Sequence, residues 1–361
     1  MKKPGYLHNI YDRETLQARY AADSGSRRTL SFYRYVKIPV PGDLKDRLYE
    51  DWFDLGVLGR IYLAEEGINA QISVPLEREE AFLRSLEDYF PAMPLKIALE
   101  EKAPSFLKLI IKVRSKIVAD GLDDATFDPA DTGRHLSARE FNEAMDQEGT
   151  IVVDMRNHYE SEVGHFEGAI CPDVDTFREE LPLVRDMLKD DQNKKILLYC
   201  TGGIRCEKAS AWLKHQGFQD VNQLRGGIID YVRQVREENL PGRFHGKNFV
   251  FDDRLGERVT DEVISQCHQC GVSCDDHTNC ANDACHLLFI QCPACREKWS
   301  GCCTPECQEV ISMPVEKQRE YRRSLPRPLD IYRSRLRPRL RPPVEKGLTP
   351  GPAPFSPGKR G

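Results

Sequence analysis

The chain has 361 residues, 40 % apolar and 30 % charged, a balance expected of a water-soluble protein of two or three domains. No run of 18 apolar residues occurs, which argues against a membrane-spanning helix, and the opening MKKPGYLHNIYDRE has two lysines but no apolar core behind them, so it does not read as a signal peptide. The net charge of −5 is uneven: residues 313–361 hold 13 Lys/Arg and 4 Asp/Glu, a net of +9, which leaves −14 on the rest. A basic tail on an acidic body suits a polyanionic partner such as RNA, or a solvated segment with no partner.

Residues 1–28 read as a short helical lead-in. Residues 29–120 read as a compact unit in the order β-α-β-β-α-β with an extra strand, the ferredoxin-like split βαβ pattern. SFYRYVKI (31–38) has strand character, and Pro41, Gly42 and Asp43 predict a turn and N-cap before LKDRLYEDWFDLG. VLGRIYLA and INAQISV are strands around Glu65-Glu66-Gly67. LEREEAFLRSLEDYF is a second amphipathic helix, and LKIALEE and SFLKLIIKVR are closing strands. Arg34, Lys37, Lys108, Lys112 and Arg114 lie among aromatics in this unit, which is compatible with RNA and equally with a packing role.

A second α/β unit is expected over 136–241. SAREFNEAM is a helix opened by a serine cap, TIVVDM a buried-type strand ending near Asp154, and KKILLYC (194–200) another. EKASAWLKHQGF is a helix stopped at Gly217, and VNQLRGGIIDYVRQ a strand, a Gly226-Gly227 turn and a helix. Alternating strands and helices predict a parallel sheet, with ligands at the carboxyl ends of its strands. Cys200 stands at one such end. KNFVFDDRLGERV reads as a β-hairpin with Gly256 near its turn, the start of a segment 242–312 that also holds most of the cysteines. Residues 313–361 are a Pro/Arg-rich tail expected to be disordered.

Thirteen cysteines without a secretion signal point to the cytoplasm and to metal or catalysis rather than disulfides. In CTGGIR, Gly202 and Gly203 let the backbone curl so that successive N–H groups point inward. The following helix adds its positive end and Arg205 a fixed charge. Each favours an anion on the Cys200 sulfur, so a depressed thiol pKa is expected, and the same cradle suits a persulfide, a sulfenate or an oxyanion. Four residues separate Cys200 from Arg205, one fewer than in cysteine phosphatases, which suits a group smaller than phosphate. Cys206 reads as a bystander buried in the helix or as a resolving thiol.

Ten cysteines fall between Cys267 and Cys307, with His268, His277 and His286 among them. CHQC and CPAC are C-x-x-C pairs 21 residues apart, the spacing of a paired-knuckle zinc site. Cys267, Cys270, Cys292 and Cys295 form the expected first site. A second takes Cys274, Cys280, Cys285 and one of Cys302, Cys303 or Cys307, with Cys302 assigned. Structural zinc supplies folding free energy to a segment poor in apolar residues; an iron–sulfur centre and disulfides are the alternatives.

VVDMRNHYESEVGHFEGAI, CTGGIR and LRGGIIDY together resemble a rhodanese domain. The resemblance implies that Cys200 carries a persulfide, that the amides of Thr201, Gly202, Gly203, Ile204 and Arg205 cradle it, and that Asp154, Arg156 and GHFEGA frame the site. SFYRYVKI, GRIYLAEEGINAQISVP, VADG, DMRNHYESEVGHFEGA, CTGGIRCEKASAW, GKNFVFDDRLGERVTDE and CHQCG, in this order, resemble the bacterial tRNA uridine(34) hydroxylase family. That resemblance implies three domains, Cys200 as catalytic residue, tRNA as partner through its anticodon loop, and 5-hydroxylation of the wobble uridine with O2 as co-substrate. The sequence shows no flavin or nicotinamide motif and no two-His-one-carboxylate spacing. A rhodanese-type sulfurtransferase delivering persulfide sulfur to RNA or protein is the competing reading.

Overall fold

The computed structural model describes residues 9, 11–22, 25–98, 105–124 and 127–325. It forms two compact units, Met1–Ile264 and Ser265–Gly361. Residues 99–104, at the end of the expected strand LKIALEE, and 326–361, most of the expected tail, lie outside the described residues.

The first unit opens with helix α1 (Arg13–Ala22). Strands β1 (Arg27–Tyr35), β2 (Leu58–Ala64), β3 (Gly67–Pro75), β4 (Lys96–Ile97) and β5 (Leu109–Val113), with helices α2 (Pro41–Asp54) and α3 (Glu79–Tyr89), follow. The sheet order β4-β1-β3-β2-β5 is that of a ferredoxin-like domain, with β5 added parallel to β2. The alternation of β1 places Leu30 and Phe32 on the covered face, where Phe32, Trp52 and Phe82 meet edge-on or tilted at centroid distances of 5.2–6.5 Å. Burial of such rings stabilises by about 1.5–3 kcal/mol each. Helix α2 begins earlier than the expected Asp43 cap: Val40 is the N-cap and Pro41 the first residue, because the fixed φ of proline suits the first turn and its missing N–H is not needed there.

The rhodanese-like part comprises β6 (Arg134–Leu136), α4 (Ala138–Met145), β7 (Ile151–Asp154), α5 (His158–Ser161), β8 (Gly164–Phe166), α6 (Phe177–Met187), β9 (Lys195–Tyr199), α7 (Ile204–His215), β10 (Asp220–Leu224) and α8 (Gly227–Glu238). Its sheet, β6-β10-β9-β7, is parallel throughout. Helices cover both faces, so β9 is buried along Ile196–Tyr199 and reads as an unbroken apolar run. The serine cap of α4 is present as a full capping box, Ser137 with Glu140. Strand β11 (Phe244–Asn248) pairs with β12 (Glu257–Arg258), as the expected hairpin requires, and on its other edge with β8.

The second unit contains β13 (His277–Asn279), β14 (Leu288–Ile290), α9 (Pro293–Lys298), α10 (Pro305–Ser312) and α11 (Val315–Ser324). Helix α11 corrects the expectation of a tail without structure from residue 313: VEKQREYRRS has no proline after Pro314 and carries Glu316 in its first turn and Arg322 and Arg323 in its last, the charge order that a helix dipole favours. Among the described residues no helix is long and apolar enough to cross a membrane.

Candidate active site and metal centres

Cys200 follows the last residue of β9 and has no solvent-exposed surface. The chain then turns through Thr201–Gly203 into α7. Gly203 adopts φ +96°, and a Cβ there would stand 2.8 Å from the Tyr33 hydroxyl. This conformation aims the Gly203 N–H at the Cys200 sulfur, 3.1 Å away. Burial pushes the thiol pKa up, but the Cys206 thiol, the Arg205 charge and the N–H groups of Cys206 and Arg205 more than offset it, and the thiol is lowered to about 6. Cys206 is itself fully buried; burial and the neighbouring Cys200 push its pKa well up, so it stays a thiol and donates to Cys200.

Arg205 does not offer its guanidinium to a ligand. It forms two hydrogen bonds to Glu160, of 2.6 and 2.8 Å, and one of 3.2 Å to the Thr201 hydroxyl. Glu160 is fully buried; burial raises its pKa, yet Arg205, helped by Arg156, holds it below the usual carboxylate range. Asp154 and Arg156 form a second buried pair at 2.7 and 2.8 Å. Glu180 of α6 is also fully buried, and among the described residues neither of its carboxyl oxygens has a hydrogen-bond partner. Burial pushes its pKa well above the usual range, against the pull of Arg205.

The ferredoxin-like domain closes the site. The Tyr33 hydroxyl donates to Glu207 at 2.9 Å and the Tyr35 hydroxyl to the Ile204 carbonyl at 3.4 Å. Lys208 of α7 is buried between Glu66 of the β2–β3 turn, at 2.9 Å, and Asp120, at 2.5 Å. Lys96 of β4 lies 4.3 Å from the centroid of the Tyr33 ring. Of the expected basic set, Arg34 is occupied by the carbonyls of Pro91 and Ala92, while Lys37, Lys108, Lys112 and Arg114 are exposed.

In the second unit, the sulfurs of Cys267, Cys270, Cys292 and Cys295 lie within 4.8 Å of one another, as do those of Cys280, Cys285, Cys303 and Cys307. Sulfurs at the corners of a tetrahedron of 2.3 Å zinc–sulfur bonds are about 3.8 Å apart. The observed separations of 3.6 Å for Cys270–Cys292 and 3.7 Å for Cys285–Cys303 and Cys303–Cys307 fit that figure. The donor set of each group therefore suits one metal ion. The first group is the one expected from spacing. In the second, Cys303 and Cys307 stand where Cys274 and Cys302 were expected. Thr304 caps α10 through the Cys307 N–H, which places Cys303 just before the helix and Cys307 in its first turn. Cys302, one residue earlier, shares the local core of Leu287 and Phe289 with Cys280 and Cys303, but its sulfur is not one of the four that come together. Cys274 is held away by backbone hydrogen bonding to Ser265. Gln269 and Gln291 join the two groups: both side-chain amides donate to the Cys302 carbonyl, and Gln291 also donates to the Gln269 side-chain oxygen.

Three family models match in succession: an acylphosphatase-like domain named UPF0176 over residues 27–117, a rhodanese-like domain over 137–234 and a rhodanese C-terminal segment over 245–308. A tRNA uridine(34) hydroxylase of Leptospira interrogans is 56 % identical over 342 residues, covering 94 % of this chain and 93 % of that protein. The chain belongs to the tRNA uridine(34) hydroxylase family. Members from Photorhabdus laumondii, at 54 % identity, and Cronobacter sakazakii, at 55 %, each cover 88 % of this chain and 91 % of their own length. In this member of the tRNA uridine(34) hydroxylase family the structure brings six residues to the Cys200 loop that the sequence did not single out: Tyr33, Tyr35, Lys96, Glu160, Glu180 and Glu207. Glu207 lies two residues past CTGGIR on α7; the other five come from other elements. One signal was present: Glu160 lies three residues after Asn157 in a capping box, which marks it as held in place.

Proposed function

We propose that this chain hydroxylates C5 of the wobble uridine, position 34, of tRNA, with the Cys200 thiolate as nucleophile and O2 as the source of the oxygen atom. The observation that carries the proposal is a buried thiol with its pKa lowered to about 6 in a chain 56 % identical along 94 % of its length to a protein of that name. The thiolate adds to C6 of the uracil: the S–C6 bond forms, the C5=C6 π bond breaks, and its electron pair moves toward C5 and O4. C5 is then electron-rich and takes one oxygen atom. The second oxygen leaves as water with two electrons and two protons from an external reductant of the thiol class, and loss of the C5 hydrogen as a proton expels the thiolate. The N–H cradle that holds the anion at the start receives it again at the end.

The substrate base is already single-stranded in an anticodon loop and is splayed into the site at less cost than a duplex base. The exposed lysines of the ferredoxin-like domain supply positive charge for its phosphates, and the basic composition of residues 313–361 suits the same polyanion. Both cysteine groups bind structural zinc, and the reaction belongs in the cytoplasm with its tRNA.

Nucleoside mass spectrometry of tRNA from cells lacking the protein, complemented with wild type or Cys200→Ser, tests this. 5-Hydroxyuridine and its derivatives are expected to vanish and to return only with the wild type. Full restoration by the serine variant overturns the role of Cys200. Unchanged 5-hydroxyuridine with loss of a 2-thiouridine overturns the hydroxylase assignment in favour of sulfur transfer.

A further inference from the structure

Arg205, Arg156 and Lys208 are cations of the rhodanese-like part, and all three are occupied, Lys208 by Glu66 and Asp120. Arg205 is bonded to Glu160 and Thr201, and Arg156 to Asp154 and the Gly164 carbonyl. Lys96 is different. Strand β4 pairs with β1 through Ser31↔Lys96 and packs on α8, whose N-terminus lies under the Cys200 loop: the N–H of Ile228 donates to the Cys200 carbonyl and that of Ile229 to Thr201. The Lys96 ammonium rests on the Tyr33 ring at 4.3 Å, and the Tyr33 hydroxyl reaches the loop at Gly203 and Glu207. Lys96 is half-buried, and among the described residues its ammonium has no hydrogen bond or ion pair. A partly desolvated ammonium without a carboxylate partner is costly unless another anion compensates it. The charges it feels are those of Cys200, Asp230 and Glu207; burial nevertheless outweighs them and lowers its pKa to about 8.

We infer that Lys96 is a catalytic residue, contributed by the ferredoxin-like domain, that faces the Cys200 thiolate in the resting enzyme and donates a hydrogen bond to O4 of the uracil when the thiolate adds to C6. This rests on the proposed hydroxylase reaction. In the addition step the negative charge leaves sulfur and arrives at O4 as the S–C6 bond forms and the C5=C6 π bond breaks. One ammonium beside both atoms stabilises the charge at each end of that path, with no proton required to leave nitrogen. Arg205, tied to Glu160, stays with the sulfur. The ferredoxin-like domain thereby supplies a chemical group to the site in addition to a covering surface.

The test uses full-length Lys96→Met and Lys96→Arg beside wild type, with folding checked by circular dichroism. Two readouts are taken. The first is the pH midpoint for iodoacetamide labelling of Cys200, resolved by peptide mass spectrometry; it depends on the titratable groups electrostatically linked to the sulfur, namely Tyr33, Tyr35, Lys96, Glu180, Arg205 and Cys206. Lys96→Met is expected to move that midpoint up by about one pH unit, the effect of removing one nearby opposite charge, and Lys96→Arg to leave it near the wild-type value. The second is steady-state hydroxylation of tRNA, where Lys96→Met is expected to lower kcat about 100-fold, as loss of one oxyanion donor does, with the arginine variant recovering a large part. A folded Lys96→Met with an unmoved midpoint overturns the inference, as does a raised KM for tRNA at unchanged kcat, the signature of a phosphate contact alone. A wild type that makes no 5-hydroxyuridine sinks the hydroxylase reading instead, and the labelling midpoint still decides whether Lys96 faces the thiolate.

Discussion

Glu160→Ala would leave the Arg205 guanidinium buried without its carboxylate. Removing one partner of a buried ion pair costs about 3–5 kcal/mol, and both groups here are almost without solvent contact. A denaturant midpoint well below that of wild type is expected; an unchanged midpoint means that Arg205 is not held by this pair. The pH dependence of hydroxylation follows from two groups of opposite sense. Cys200 acts as the anion and gains it as pH rises through about 6. Lys96 acts as the cation and loses it as pH rises through about 8. Plotted against pH, kcat/KM should climb about tenfold per unit below the first value, stay level between the two and fall above the second. Lys96→Arg should move the alkaline fall to higher pH, because arginine keeps its charge there.

At the scale of single elements, the β9–α7 turn and the α10 cap carry the sharpest expectations. Gly203→Ala forces an L-residue into the left-handed region, at about 1–2 kcal/mol, and sets its methyl against the Tyr33 hydroxyl at 2.8 Å. Lowered thermal stability and lowered hydroxylation are expected together. In the second unit, metal counted per chain by plasma mass spectrometry should be two for wild type and for Cys302→Ser, and one for Cys303→Ser. Loss of one metal in Cys302→Ser and none in Cys303→Ser returns the grouping to the one expected from the sequence. That contrast shows what the sequence made legible. The CTGGIR loop could be read because glycine, arginine and a helix start all act within six residues of the thiol. The first cysteine group could be read because C-x-x-C confines both sulfurs to one turn. Cys302 and Cys303 are adjacent and chemically alike, so only the Thr304 cap, which fixes the direction of α10, decides between them. Lys96 reaches the loop through a sheet edge more than 100 residues earlier in the sequence, and its own neighbours, LKIA, look like an ordinary edge strand.

In the first unit as a whole, Lys208 is the bolt between the ferredoxin-like and rhodanese-like parts. It is 2 % exposed and paired with Glu66 and Asp120, and Glu66 also accepts from the Ile117 N–H at 2.7 Å. Burial raises the Asp120 pKa, but Lys116 and Lys208 together hold it below the usual range. Lys208→Met leaves Glu66 without its cation and Asp120 with Lys116 alone, and about 3–5 kcal/mol should be lost. The expected signature is an unfolding curve that splits into two transitions, one for each part; a single unshifted transition would mean that apolar packing alone holds them.

The burial of the Cys200 sulfur has a consequence for survival in air. A thiolate ionised at neutral pH and open to solvent meets peroxide readily and climbs from sulfenic to sulfinic acid, the second step being irreversible for most proteins. Here the anion lies beneath Tyr33 and Tyr35 with no exposed surface. Damage must wait until the site opens, so the working lifetime of the idle enzyme is lengthened by the small fraction of time its two domains are parted, and the reactivity of the sulfur acts only within that fraction.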